Sequence, residues 1–516
     1  MAARIEDYGL IGDMKGAALV SKRGDIDWVC VPRFDSEACI AALLGRDEHG
    51  RWGIRPTTRI RTSEQRYRGD TLILETEFEC DGGKVRVVDF MPLAAECSHI
   101  VRIVEGVAGE VSLEMILDAR FGYGGCLPLV VRQESAVTMV AGPDALHLRS
   151  SLEVTTSTSR VSALFPVKQG DRVTFVLSWT QSDRHPPDAI DPLAALVRTE
   201  AFWHEWSGRC TYQGRWRDAV LRSLITLKAL TYAPTGGIVA APTTSLPEEI
   251  GGVRNWDYRY CWLRDATLTL HSLMVGGYAD EAKAFRDWLA RTVAGDPSRL
   301  QIMYGLAGER RLTEIEIDWL PGYEESRPVR IGNAAWDQFQ LDVYGETMSC
   351  FYTARKMGLG QVTEAWEMLR ALIENLERLW QRPDEGIWEV RGGGLRHFTH
   401  SKVESMGCGR SHDPPDRGVW DGRPGSQAQS PALAYAPRAD SRGRLRSRME
   451  RGCRRLHPIV RFRSAGRQRA DDPARRLPAG RRSPHGVDGT RNRKKSLTPR
   501  LRPEILHGTR TRRPPR

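Results

Sequence analysis

The sequence has no apolar run long enough to span a bilayer, and its first residues, MAARIEDYGLIGD, lack the apolar stretch of a signal peptide. A cytoplasmic protein with no membrane partner is the simplest expectation. Ten cysteines are present, but no CxxC and no Cys/His spacing of the zinc-site kind. Reduced thiols and no metal follow. From Glu404 onward aromatic residues nearly vanish: only Trp420, Tyr435 and Phe462 remain up to residue 516. That segment holds 27 Arg and 2 Lys against 10 acidic residues, a net of +19, which leaves residues 1–403 at −8 of the chain's +11. A basic protein suggests an acidic partner such as nucleic acid. Here the arginines sit apart from aromatics and from any folded module, so no specific nucleic-acid site is expected. The same composition predicts a disordered tail.

What is present divides the 516 residues into several parts. Residues 1–195 read as β-structure. TLILETEFECDGGKVRVVDFMP places Asp81-Gly82-Gly83 between two alternating runs, a hairpin signature, and SRVSALFPVKQGDRVTFVLSW repeats the design. Many short antiparallel strands with close turns predict a β-sandwich. Residues 196–214 read as a linker helix. From 215 to 403 the apolar period becomes helical: Tyr278, Ala282, Phe285, Trp288 and Leu289 share one face. Trp366, Leu369, Leu372, Ile373, Leu376 and Trp380 share another. Long Gly/Pro-rich loops separate these helices and suit a helical barrel with a pocket at one end.

One stretch concentrates rings and charges: RNWDYRYCWLRDAT, residues 254–267. Aromatic faces stack on the C–H face of a pyranose, and Arg/Asp pairs hydrogen-bond its hydroxyls. A helix start with a buried ion pair would account for the same composition. A second stretch, DEGIWEVRGGGLRHFTHSK, puts Glu389 after Ile387 and Trp388 in a Gly-flanked loop. Such a semi-apolar place raises a carboxyl pKa, as a general acid requires, though a solvated loop carboxylate is the plainer alternative. Asp7, Asp25, Asp27, Trp28 and Arg33 of the β-region are further candidates to approach a neighbouring site.

These pieces resemble glycoside hydrolase family 15, the glucoamylase and trehalase family. The matching segments, in family order, are IEDYGLIGD, GDIDWVCVPRFDS, APTTSLPEEIGGVRNWDYRYCWLRDAT, LPGYEESRPVRIGNAAWDQFQLDVYGE and DEGIWEVRGGGLRHFTHSK, covering residues 5–403. The resemblance implies an N-terminal β-sandwich followed by an (α/α)6 barrel, and inverting exo-hydrolysis of an α-glucoside. Trehalose is the favoured substrate and a glucoamylase-type glucan the alternative. It implies that Glu389 is the general acid, that Arg264 and Asp265 hold the terminal glucose, and that Trp256, Asp257, Trp262 and Trp336 line the pocket. The chemistry needs no cofactor. Some trehalases of this family depend on phosphate and magnesium, and no feature of this sequence speaks to either. Oligomeric state is not legible.

The resemblance stops at Val403. The family's catalytic base lies later, so a general base is absent from this chain, and neither Glu450 nor Glu504 is assigned to that role. Read one base later with suitable codons, LHPIVRFR (456–463) gives Phe-Thr-Gln-Ser-Phe-Gly-Ser, and DDPARRLPA (471–479) gives Met-Ile-Pro-Leu-Val-Gly-Tyr-Leu-Pro. Both are family-like. MG (406–407) forces a Trp codon in that frame, where the family also has Trp. A frameshift after residue 403 accounts for all three and for the Arg/Pro excess. The expected product is an incomplete barrel with a disordered out-of-frame tail over 404–516, and little or no activity.

Overall fold

A computed structural model of the chain describes residues 2–410 other than 94, 95, 134, 295 and 360–362. Residues 8–181 form one fifteen-stranded antiparallel sheet. Its organiser is the strand His99–Asp118, which pairs with Arg172–Gln181 and Gly83–Phe90 through its first half. Through its second half it pairs with Arg51–Pro56 and Val161–Lys168. Gly109, at φ 64, lies between the halves and takes a backbone conformation that costs other residues more. The sheet's inner faces meet in one cluster that includes Trp52, Ile54, Phe78, Val87, Met115 and Leu146. The period-two signal is explicit in Val161–Lys168, where Val161, Ala163, Phe165 and Val167 are buried. The Asp81-Gly82 turn joins Leu74–Cys80 to Gly83–Phe90, as the hairpin signature predicts.

Seven α-helices follow among the described residues: α1 Pro192–Gly208, α2 Arg217–Ala229, α3 Leu263–Gly276, α4 Ala279–Ala294, α5 Asp342–Lys356, α6 Thr363–Leu379 and α7 Thr399–Arg410. Asp191 caps α1 by accepting from the Leu193 and Ala194 amides, with Pro192 at the first helical position. The α1 helix starts before residue 195 and belongs to two cores. Ala195 and Leu196 pack on the sheet, while Trp203 and Trp206 pack among the helices. The predicted apolar face of α4 is buried throughout. So are Leu369, Leu372, Leu376 and Trp380 at the α6 end, whereas the Trp366 side chain lies outside the described ones.

Between α4 and α5 the hairpin Ile315–Ile317/Val329–Ile331 packs on the sheet. Its Ile317, Leu320, Tyr323 and Val329 cluster with Trp28, Leu43, Leu44 and Tyr123. The two structural regions therefore share an apolar contact that also carries the loops of the site.

Residues 404–410 depart from the expectation of disorder, since α7 runs through the sequence break at Val403. Its Lys402 ammonium donates to the Trp380 and Arg382 carbonyls, at 2.7 and 2.6 Å, just past the end of α6. Gly345 lets α5 come close to the α7 backbone at Glu404, where a Cβ would meet the carbonyl. The rest of the segment to residue 516, with the expected disorder and frameshift, lies outside the described residues. No helix among the described residues is long and apolar enough to cross a membrane.

Candidate active site

Arg264 is the hub of the site. It sits in the first turn of α3, and the preceding strand Cys261–Trp262 pairs with Met303–Tyr304, which fixes where α3 begins. One guanidinium nitrogen donates to Glu389 Oε1 at 2.5 Å. The other reaches Gln340 Oε1 and, at 3.4 Å, Asp342 Oδ2. The Trp262 ring N–H also donates to Glu389 Oε1, at 2.9 Å. Two donors thus pin one oxygen of Glu389, and Oε2 carries no hydrogen bond among the described residues.

Glu389 stands on a loop whose neck is closed by a bridge between Asp384 and Arg396. Its amide donates to the Gly386 carbonyl, and its own φ is 48, a left-handed conformation unusual for a side-chain-bearing residue. Trp388, the residue before it, is 74% exposed. Tyr258 lies 5.5 Å from the Trp262 ring, and burial pushes its phenol up to about 12.

Asp265 follows Arg264 and is exposed, yet enough protein surrounds it that burial raises its carboxyl above the usual range, with Arg264 opposing. Asp342 is fully buried, and burial raises it too, again against the pull of Arg264. Its Oδ1 has no hydrogen-bond partner among the described residues.

Trp262, Arg264 and Glu389 are therefore in direct contact, with Asp265 adjoining. Asp257 and Trp256 stand differently from what the resemblance implies. Asp257 is fully buried and spends its carboxylate on Arg259 and the Gly332 amide, so it braces the site from inside. Trp256 is covered by protein cations, with the Arg391 and Arg330 guanidinium carbons 3.6 and 4.5 Å from the ring centroid. Those are the positions a stacked sugar would need. Trp336 lies on a short turn capped by Asn333, partly buried against the helical core, and its carbonyl accepts from Gln301. Of the β-region candidates, Trp28 donates to the Pro242 carbonyl and Arg33 to Glu309, so both reach the loops of the helical region. Asp7, Asp25 and Asp27 are bonded within the sheet region, to Lys22, Arg55 and Tyr8.

Gln340, Tyr258 and the exposed ring of Trp388 were not singled out as site residues from the sequence. Trp388 had a signal, an apolar ring next to the candidate acid. Gln340 had none, because only the fold brings it to Arg264. No group of three or more His, Cys, Asp or Glu among the described residues could hold a metal ion.

Comparison with known proteins places this geometry. Residues 214–406 match the model of Glycosyl hydrolases family 15, and residues 1–185 match that of Trehalase-like, N-terminal. A trehalase of Mycobacterium tuberculosis is 36% identical, over 77% of this chain and 63% of its own length. Trehalase 1 of Sulfolobus acidocaldarius is 32% identical, over 77% of this chain and 69% of its own. The chain thus spans less than two thirds of the mycobacterial relative. A crystal structure of a bacterial glucoamylase complexed with acarbose shares the fold, with a TM-score of 0.58 at 13% identity, over 78% of this chain and 63% of that one. Identity at that level, over more than two thirds of a relative and in step with two consecutive family models, is decisive: the chain belongs to family 15 of the glycosyl hydrolases.

Proposed function

We propose that this chain carries the acid half of an inverting α-glucoside hydrolase site, with trehalose as the favoured substrate and a maltooligosaccharide as the alternative. One observation carries the reading. Glu389 has one oxygen pinned by Trp262 and Arg264 and the other without a hydrogen bond among the described residues, in a chain where the exposed Trp388 and Asp265 directly adjoin Glu389 and Arg264 in sequence. Pinning Oε1 aims Oε2, the oxygen that would hold the proton. In the reaction Glu389 gives that proton to the glycosidic oxygen as the bond from the anomeric carbon breaks. Arg264 and Asp265 hold hydroxyls of the terminal glucose, and Trp388 offers a face to the leaving sugar. The relatives named trehalase support the choice of disaccharide.

The other half of the chemistry is a carboxylate that deprotonates water on the opposite face, roughly 6.5–9.5 Å from the acid. In the family it lies beyond the stretch matched here. Asp342 cannot take that role, since its buried carboxyl meets no solvent. The reading therefore includes an incomplete (α/α)6 barrel over 215–403, a sheet domain over 1–195 with the 196–214 helix as linker, and an out-of-frame tail.

The test is glucose release from trehalose and maltose by the 516-residue chain and by a form with the reading frame restored. The given chain should be slower by about 10²–10⁴-fold, the usual worth of general acid–base assistance. Glu389→Gln in the restored form should remove most of its activity. Ordinary turnover by the given chain, indifferent to Glu389→Gln, would sink the assignment. A second reading, a sugar-binding remnant, would show as calorimetric binding of trehalose with no turnover in either form.

A further inference from the structure

The loop that presents Glu389 is tied at its base, where Asp384 Oδ2 accepts from the Leu341 amide and the Glu385 amide donates to the Phe339 carbonyl, and three further tethers bear on how the acid is held. The neck is the Asp384–Arg396 bridge. The second tether is the Glu389 carboxylate itself, on Trp262 and Arg264. The third is Arg391, two residues beyond the acid. One guanidinium nitrogen is shared between both oxygens of Glu314 at 2.8 Å, and the other donates to Asn333 Oδ1 at 2.9 Å. The guanidinium also lies against the Trp256 ring. Two separate guanidinium nitrogens serving Glu314 and Asn333 while the flat group lies on a ring is a geometry that suits arginine better than lysine.

What Arg391 grips is itself anchored. Asn333 is 1% exposed; its amide donates to the Asp257 carbonyl and its oxygen caps the turn that carries Trp336. Asp257 is locked to Arg259. Arg259 is fully buried and donates to the Ser36 carbonyl and the Tyr123 hydroxyl, both in the sheet region. Glu314 accepts in turn from the Ala334 amide. A continuous bonded path runs from the sheet, through Arg259, Asp257 and Asn333, to Arg391.

We infer that Arg391 is a positioning residue, the end of a brace by which the sheet region holds the Glu389 loop in register with Trp262 and Arg264. Its catalytic meaning rests on the reading of Glu389 as the acid. The need for such a brace is physical. Glu389 occupies a left-handed backbone conformation, a strained one for a residue with a side chain, and Gly386, Gly392 and Gly394 give the loop little stiffness of its own. Without Arg391 the loop can relax away, and the carboxylate leaves the Trp262 N–H.

The test uses the full chain labelled with 5-fluorotryptophan. The Trp262 resonance is assigned by its disappearance in Trp262→Phe, and that of Trp206, inside the helical core, by Trp206→Phe. Glu389→Gln should shift Trp262, because the carboxyl that its N–H donates to is replaced by an amide. Arg391→Ala should shift Trp262 toward that same position and leave Trp206 in place. Arg391→Lys should also shift it, since one ammonium cannot serve Glu314, Asn333 and the ring together. Should Arg391→Ala disturb Trp206 as well, the milder Glu314→Gln decides, with a shift of Trp262 alone supporting the brace. A Trp262 resonance unmoved in Arg391→Ala, or in Glu314→Gln where that variant decides, overturns it. The readout is independent of turnover, so a failed acid assignment and a failed brace give different results.

Discussion

At the scale of single residues the site is governed by one guanidinium serving two carboxylates of opposite character. Glu389 is 22% exposed at its side chain, while Asp342 is wholly buried and has one oxygen without a hydrogen-bond partner among the described residues. Removing Arg264 strands Asp342, and stranding a buried charge costs about 3–5 kcal/mol unless the group takes up a proton. Burial already holds the Asp342 carboxyl above its ordinary value, with Arg264 pulling the other way. In Arg264→Ala it rises further. A carboxyl whose folded pKa is raised stabilises at low pH and loses that contribution as pH climbs through the folded pKa. Arg264→Ala should therefore destabilise more at pH 8 than at pH 5 in chemical denaturation, and adding Asp342→Asn should abolish the pH dependence. The sequence singled out Arg264, Asp265 and Glu389 because their motifs are local. It could not show that Trp256 is covered and Asp257 buried. Those facts depend on Arg391, Arg330 and Arg259, and a composition of rings and charges reads the same whether the cation beside a ring is protein or the partner is sugar.

At the scale of elements, strands were more legible than their partners. Alternation marks Val161–Lys168 and the Asp81-Gly82 hairpin within a few residues. It says nothing of which strands meet across His99–Asp118, where pairing spans long sequence separations. That strand opens with a polar cluster hidden from sequence reading. His99 is 4% exposed, with Nδ1 2.7 Å from Ser178 Oγ and Nε2 3.2 Å from Cys97 Sγ. Burial, helped by the charges of Arg149 and Lys15, pushes its imidazole down to about 4. An unfolded histidine titrates near 6.5, so between those values the unfolded chain binds the extra proton. Stability from His99 is then full above about pH 6.5 and is lost as pH falls toward 4, a loss of at most roughly 3 kcal/mol. Asp27 acts oppositely: burial and the neighbouring Asp25 raise it to about 6, so its contribution fades as pH rises through that value. The raw profile mixes the two. The difference between wild type and His99→Gln, from urea denaturation at pH 7.5 and 4.5, should isolate the histidine and shift against wild type at the lower pH.

At the scale of the molecule, the helix that crosses the edge of the family resemblance does not stop there. Sequence matching ends near residues 403–406. The helix α7 nonetheless continues to Arg410. The reason lies in its first turns: Ser401, Lys402 and Ser405 are buried, and Lys402 satisfies two carbonyls left open past the end of α6. Hydrogen bonds from a charged donor contribute about 1.5–3 kcal/mol, and the Gly345 contact with α7 adds packing that only a glycine permits. Two shortened chains test this. One ends at Arg410 and the other at Phe398, so both lack the basic tail and differ only in α7. The chain ending at Phe398 should melt at clearly lower temperature, with the α5 and α6 backbone amides losing hydrogen-exchange protection while the amides of His99–Asp118 keep theirs. The sheet should be spared because its main cluster is built wholly from residues 11–177. Equal melting of the two chains would show that α7 adds nothing to the helical region, and that the structural edge falls before the edge of the resemblance.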